Sequence, residues 1–437
     1  GMPRALVVGG GLAGLASAAA LGSSGWEVDV VESRPFLGGR ATSWEMPDGE
    51  LIDNCQHVLL RCCVNLLDFY QRLGVRNEIT FYKEFIFLEP GGRKSIMKRG
   101  IFPAPAHFTE SFLALKCLNL ADKIAIGRAM LAMPRERNRP DLDRITMLDW
   151  LREKRQTAQA IARYWNQVLV SAINEDVDRM AAAHGFQVFL LGMLSRADSY
   201  ELGIPNVPLR ELYRPDAWKQ IGAVTLEGRK PAERFEIEDG KVTGVICAGE
   251  RRQADAYISA LPFERLNQVF APPPVDTSAF THSPITGIHL WFDRPVTDLE
   301  HATLLDRTIQ WMFNKSAGKY VMVVVSASRS LVEKNRQEII DLAVRELREF
   351  FPAAREAQLV NAHVIKEVRA TFSAAPGLES KRPPARTAIP NLFLAGDWTR
   401  SGWPATMEGA VRSGYLAAEA ATEAAGARRT FVLPDVA

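Results

Sequence analysis

Arg4-Ala5-Leu6-Val7-Val8-Gly9-Gly10-Gly11-Leu12-Ala13-Gly14 decides how this chain is read. Residues 4–8 are apolar, with β-branched Val7 and Val8, and residues 12–21 are rich in Ala and Leu. The pattern predicts a strand, a tight turn and a helix. Gly9 permits the turn, Gly11 lets the backbone approach a pyrophosphate, and Gly14 lets helix and strand pack closely. Leu12 and Ala13 open the helix, where unpaired N–H groups and the positive dipole end attract an anion. A second apolar run, residues 26–31, ends at Glu32 and Ser33, where an acid is expected to meet the ribose hydroxyls. A lone Gly-x-Gly-x-x-Gly is a weak signal. Here a strand precedes it, a helix follows and an acid closes the second strand, so a dinucleotide site outweighs a chance Gly-rich turn.

A second half of this signature lies at the far end of the chain. Asn391-Leu392-Phe393-Leu394-Ala395 is an apolar strand bounded by Pro390, then Gly396 and Asp397 follow, then a helix over about 405–425. If both ends hold one cofactor, the chain leaves its first domain, builds another and returns. That plan suits a flavin clamped along its length. The stretch Glu32-Ser33-Arg34-Pro35-Phe36-Leu37-Gly38-Gly39-Arg40 adds a second glycine pair and a cation. Its glycines allow close backbone approach, and Arg40 either neutralises phosphate or is a solvated surface charge.

These residues resemble the extended fingerprint of the flavin-dependent amine oxidase and phytoene desaturase superfamily. The resemblance implies an α/β chain: a Rossmann-like FAD-binding domain of the glutathione-reductase-2 type, an inserted α+β substrate domain, and a helical region for membrane and substrate access. It implies FAD as cofactor, with Gly38, Gly39 and Arg40 along the diphosphate, Asp397 on the ribityl or diphosphate region, and Ala232 near the adenine. The C-terminal helix then points its N-terminus at the flavin pyrimidine edge, past Pro404, with Thr406 and Met407 offering amides. A reduced flavin is negative there, and a helix N-terminus stabilises an anion. Glu408 is a cap of that helix or a proton donor near the ring.

The segment Ile52-Asp53-Asn54-Cys55-Gln56-His57-Val58-Leu59-Leu60 narrows the resemblance. It looks like the Asp-Asn-x-Gln-His segment of hydroxysqualene dehydroxylases, the squalene-associated FAD-dependent desaturases. Leu392–Thr399 and Pro404–Ala410 resemble their C-terminal signature, and Trp165–Glu175 with Gly203–Leu209 their middle domain. Some members carry Gly where this chain has Cys55. The implied reaction converts hydroxysqualene, a long-chain isoprenoid, to squalene with hydride from reduced flavin. Loss of hydroxide asks for a proton donor and a water-free channel. His57 is the first candidate, against a structural hydrogen bond; Asn54 and Gln56 are candidates to orient substrate or flavin. The alternatives are a carotenoid-type desaturase, an amine oxidase using Trp398 and Trp403, or a non-catalytic flavin- or prenyl-lipid-binding protein.

Composition sets outer bounds. The chain has 437 residues, 47% apolar and 24% charged, which gives room for two or three domains. A net charge of +2 gives no general pull on nucleic acid. Five cysteines, Cys55, Cys62, Cys63, Cys117 and Cys247, read as a reducing compartment, and their spacing with His57 matches no zinc pattern, so no metal is expected. No second glycine fingerprint is present, so electrons are expected from an external donor. Residues 93–139 hold ten Lys or Arg and three acids with interleaved apolar residues. They read as a peripheral membrane contact or as a helical substrate domain with one buried face. The expected location is cytoplasmic, on the inner face of the cytoplasmic membrane where that contact exists. Expected boundaries are 2–80, 221–275 and 381–425 for the FAD-binding domain, and 81–220 and 276–380 for the substrate domain. Residues after Gly426 are expected to fray.

Overall fold

The computed structural model describes residues 1–436. Its first layer is a five-stranded parallel sheet in the order Val224–Glu227, Glu27–Val31, Arg4–Val8, Ala256–Ser259, Leu392–Leu394. Val7, Val8, Val30, Ile258, Leu392 and Leu394 are buried, the near-continuous apolar character that a parallel sheet covered on both faces requires. Only the Ala256–Ser259 strand separates Arg4–Val8 from Leu392–Leu394, so two stretches over 380 residues apart in sequence lie about 10 Å apart in space. Helix Leu12–Ser23 crosses helix Met407–Ala424 on one face of the sheet. Gly414 makes the crossing possible: a Cβ there would meet Ala16 Cβ at 2.8 Å, and Ser17 Oγ donates to the Gly414 carbonyl at 2.7 Å.

The second layer is a seven-stranded sheet in the order Leu359–Phe372, His282–Phe292, Tyr320–Ser326, Trp311–Ser316, His301–Leu304, Phe85–Leu88, Lys94–Met97. Its pairings are antiparallel except where Phe87 and Leu88 run parallel to Thr303 and Leu304, which splices an early hairpin onto a late sheet. Helix Arg336–Phe350 covers one side with Ile339, Ile340, Ala343, Leu347 and Phe350, and starts in a capping box between Asn335 and Glu338. Helices Leu120–Glu136, Met147–Glu153, Asn166–Ile173 and Ala182–Phe189 form a helical body whose core is continuous with both sheets. Trp150 meets Phe186, and Trp165 meets Phe189, at ring separations of 4.7 Å.

Two expectations are corrected. Residues 209–220, assigned to the substrate domain, pack in the nucleotide-binding core through Leu209, Leu212, Tyr213 and Trp218, because Tyr213 Oη donates to Ala41 O at 3.0 Å and fills the space beside Gly38. The tail after Gly426 is tied down rather than frayed. Phe431 and Val432 amides donate to Glu419 at 2.9 Å each, Leu433 brackets Asn65, and Asp435 accepts from Trp403 and Arg412.

Candidate FAD site

The glycines form a backbone cradle. Gly9 has φ +112°, and a Cβ on it would stand 2.8 Å from Ala260 O. A Cβ on Gly14 would overlap Gly9 O outright. At Gly11 the nearest heavy atom to an added Cβ is Gly39 Cα at 3.8 Å, so that backbone faces open space. Gly38, at φ +107°, donates its amide to Gly10 O at 2.8 Å, bringing Gly39 against Gly11. Helix Leu12–Ser23 begins here with Leu12 and Ala13 buried and no side chain capping its first amides. A buried helix start without a cap fits an anion, so the cradle fits the diphosphate of FAD. Glu32 receives the Gly10 amide at 2.9 Å on one oxygen and the Arg34 amide and Ser33 Oγ on the other. It therefore rigidifies the turn and keeps lone pairs for a ribose. Residues 229 and 230 donate to Arg34 O and Glu32 O, which brings the start of the Ala232–Glu238 strand beside this nucleotide end.

At the other end, Gly396 has φ +140° and sends its amide to Ser413 Oγ at 2.9 Å. The buried Asp397 carboxylate meets Arg40 Nη2 at 2.9 Å, while Arg40 Nη1 donates to Ala370 O of the large sheet. Arg40 is thus paired with the C-terminal acid, not held as a free cation, and it joins both halves of the split signature to the substrate domain. Arg382, 1% exposed, was not foreseen: its guanidinium donates to Asp397 O at 2.8 Å, Trp398 O at 3.3 Å and Ser401 Oγ at 3.1 Å. Next to Lys381 and Pro383 it reads in sequence as one more surface cation. Pro404 is buried and its carbonyl takes the Thr406 amide, so that amide is engaged, contrary to expectation. Thr406 acts instead through Oγ1, the N-cap that receives Gly409 N at 3.0 Å, and the Met407 and Glu408 amides open the helix. Glu408 faces away from this end. It receives Leu66 N and Asn65 Nδ2, capping helix Val64–Arg72, and burial pushes its carboxyl up to about 7.

The Asp53–His57 segment leaves a short hairpin, Ser43–Glu45 with Leu51–Asp53, and lies on the large sheet. Gly287 allows this contact: an added Cβ would meet Asn54 O at 3.0 Å and Met322 Cε at 2.9 Å. Asn54 spends its side chain on Glu367 (3.3 Å) and on the Cys55 amide (3.0 Å), a structural clamp. Half-buried His57 holds Nδ1 at 2.9 Å from Cys55 O. A carbonyl only accepts, so Nδ1 carries the hydrogen and Nε2 is left as an acceptor. Burial lowers its proton affinity below the ordinary histidine value, opposed by the Cys55 carbonyl and the Asp53 charge and assisted by Arg40. Gln56 receives Lys315 Nζ at 2.5 Å, a contact from the large sheet with no signal in sequence. Beside the segment, Cys55 and Val58 join Ile204, Ile285, Trp311, Phe313, Met322 and Val324 in an apolar cluster. Cys62 and Cys63 are buried at the start of helix Val64–Arg72.

A family model described as flavin containing amine oxidoreductase matches residues 12–422. The chain is 26% identical to a probable zeta-carotene desaturase from Synechococcus elongatus, across 96% of this chain and 99% of the relative. It is 25% identical to the 15-cis-phytoene desaturase of the same organism, across 95% of each. Among solved structures, putrescine oxidase bound to putrescine superposes with a TM-score of 0.72 at 16% identity, covering 97% of this chain and 98% of the other. An oxidoreductase from Methanosarcina mazei gives 0.72 at 19% identity, covering 94% and 98%. These two establish a shared fold.

Proposed function

The chain belongs to the flavin containing amine oxidoreductase family and is an FAD-dependent oxidoreductase, and from that premise we propose that it desaturates a long isoprenoid hydrocarbon. The carrying observation is His57. Its Nδ1–H is spent on Cys55 O, and burial favours the neutral ring, so the Nε2 lone pair is free to accept a proton beside an apolar cluster. FAD, when bound, supplies the hydride acceptor. His57 would take the proton from the carbon beside the one that loses hydride, and the electron pair of that C–H bond would become the new double bond. The curated relatives are carotenoid desaturases over nearly the full chain, which supports the same direction. An amine substrate draws less support. Trp398 is 1% exposed and donates to Leu261 O, and Trp403 donates to Asp435, so both indoles are engaged in packing.

A second reading, reductive dehydroxylation of hydroxysqualene to squalene with an external electron donor, rests on the likeness of the Asp53–Leu60 segment. It requires His57 in its protonated form. Anaerobic incubations separate the two. Oxidised enzyme with a carotenoid precursor is expected to bleach its flavin and yield a product two hydrogens lighter. Squalene formed from hydroxysqualene by reduced enzyme would instead establish the second reading, and a redox-active flavin with turnover of neither lipid would leave a flavin- or lipid-binding protein.

Delivery of such a substrate is proposed to occur at a membrane surface. Among the described residues, six of the twelve exposed large apolar side chains fall within residues 101–131: Ile101, Phe102, Leu113, Leu120, Ile124 and Leu131. In helix Leu120–Glu136, Leu120, Ile124, Arg128, Leu131 and Arg135 line one exposed stripe opposite buried Ile126, Ala129 and Met133. A helix serving only a protein core would be apolar on one face, whereas this one is apolar on both. Exposed Lys94, Lys98, Arg99 and Lys116 border the patch, which fits an anionic leaflet such as the cytoplasmic one. No helix among the described residues is long and apolar enough to cross a membrane. Replacing Ile101, Phe102 and Leu131 by serine is expected to cut co-sedimentation with phosphatidylglycerol vesicles about 10-fold or more. Unchanged binding would remove this surface from the proposal.

A further inference from the structure

Lys315 is a half-buried cation with no part in holding the cofactor or moving the proton. It rises from the Trp311–Ser316 strand, its side chain 20% exposed, and crosses from the substrate sheet to the Asp53–His57 segment. Its Nζ lies 2.5 Å from Gln56 Oε1 and 3.9 Å from Asp53 Oδ2. Asp53 is itself held by Ser43 Oγ and Leu209 N at 2.9 Å each, both on its Oδ1. The aspartate is thus a fixed anchor, and the lysine stands between it and the glutamine.

An ammonium group donates and never accepts, so the amide must present Oε1 to Lys315 and turn Nε2 the other way. Gln56 is 7% exposed, and its Nε2 has no hydrogen-bond partner. Buried amide donors in native proteins are nearly always paired, because an unpaired one forfeits its solvation with nothing in return.

We propose that Lys315 is a positioning residue that locks the Gln56 amide so that Nε2 donates to an acceptor atom of the bound ligand. That acceptor is an oxygen or nitrogen of the FAD ring or, in the dehydroxylation reading, the hydroxyl oxygen of the substrate. The proposal rests on the reading of Asp53–His57 as the reacting segment.

The test uses Gln56→Glu, Lys315→Met and the double variant of the full chain, with FAD affinity and the flavin absorption spectrum measured before any substrate is added. Gln56→Glu keeps a partner for Lys315, removes the donor, and adds a carboxylate charge that the Lys315 ammonium offsets. It is expected to weaken one ligand about 10-fold. A weaker FAD complex with a shifted spectrum places the acceptor on FAD. Unchanged FAD binding with a raised KM places it on the substrate. Lys315→Met is expected to lose as much by freeing the amide to rotate, and the double variant to be no worse than Gln56→Glu alone. Gln56→Glu without effect on either ligand overturns the proposal, as do losses that add in the double variant, which would make Lys315 an independent charge. If Lys315→Met does not fold, Gln56→Glu decides alone. Failure of the underlying reading is seen separately: His57→Ala would then keep full turnover while the Gln56 effect on FAD persists.

Discussion

Gly14→Val is expected to yield protein that carries no FAD. The position has no room for any side chain, since a Cβ would overlap the carbonyl oxygen of Gly9 and lie 3.2 Å from the Ala260 side chain. Gly9 cannot move aside, because its own φ of +112° and the packing of Ala260 O, 2.8 Å from where a Gly9 Cβ would stand, fix the turn. Helix Leu12–Ser23 must therefore lift from the Arg4–Val8 strand, and its uncapped amides leave the diphosphate position. Overpacking of this kind costs about 1–3 kcal/mol in stability. The loss of cofactor should exceed that, because the amides act through alignment that a small tilt destroys. The flavin-to-protein absorbance ratio of purified variant measures it. A ratio matching the parent protein would mean that the Gly9–Gly14 cradle does not hold the cofactor. Gly11→Ala is the matched control, since its Cβ meets nothing closer than 3.8 Å in the protein, and any FAD lost there is lost to direct contact.

His57→Ala, with FAD content verified, is expected to lower kcat/KM about 10²–10⁴-fold, the range for a positioned acid or base. The pH profile carries more information than the magnitude. Burial holds the proton affinity of His57 below the ordinary value near 6.5. The neutral, accepting form is populated above that lowered pKa. Activity that depends on an acceptor should rise with pH through a value under 6.5, then stay level through neutrality, and the alanine variant should lose that rise. A proton donor gives the opposite slope, with activity falling as pH climbs through the same value. The profile therefore discriminates desaturation from dehydroxylation independently of which lipid is supplied, and a falling limb would reverse the role assigned to His57.

The parts of the site legible in sequence are those where a backbone constraint selects a residue type. Gly9, Gly14 and Gly396 are glycines because a turn or a close approach admits nothing else, so the cradle and the return strand could be read from either end of the chain. The two ends belong together in space because apolar runs at 4–8, 256–259 and 392–394 can each bury both faces only inside one parallel sheet. The splice of the seven-stranded sheet to residues 85–88 was not legible, since a parallel pairing between strands some 215 residues apart leaves no local trace.

Side-chain partners were illegible wherever the partner arrives from another segment. Arg382 reads as solvated and is instead buried under the Asp397–Ser401 backbone. Arg40 reads as a phosphate ligand and pairs with Asp397. The tail reads as frayed because it is short and follows the last helix, yet Glu419, Asn65 and Arg412 each hold it by a specific hydrogen bond.

By itself the sequence determined the class of this protein: an α/β chain with a dinucleotide cradle at one end and its completion at the other, because glycine spacing and apolar periodicity are local quantities. Only the tertiary structure decided what His57 is fit to do. Its tautomer is set by a carbonyl two residues away, and its proton affinity by burial on a sheet assembled from the other half of the chain. Hydrogen-bond direction and desolvation are properties of the packed state, so they come into being when the Asp53–His57 segment is laid against Gly287 and Met322.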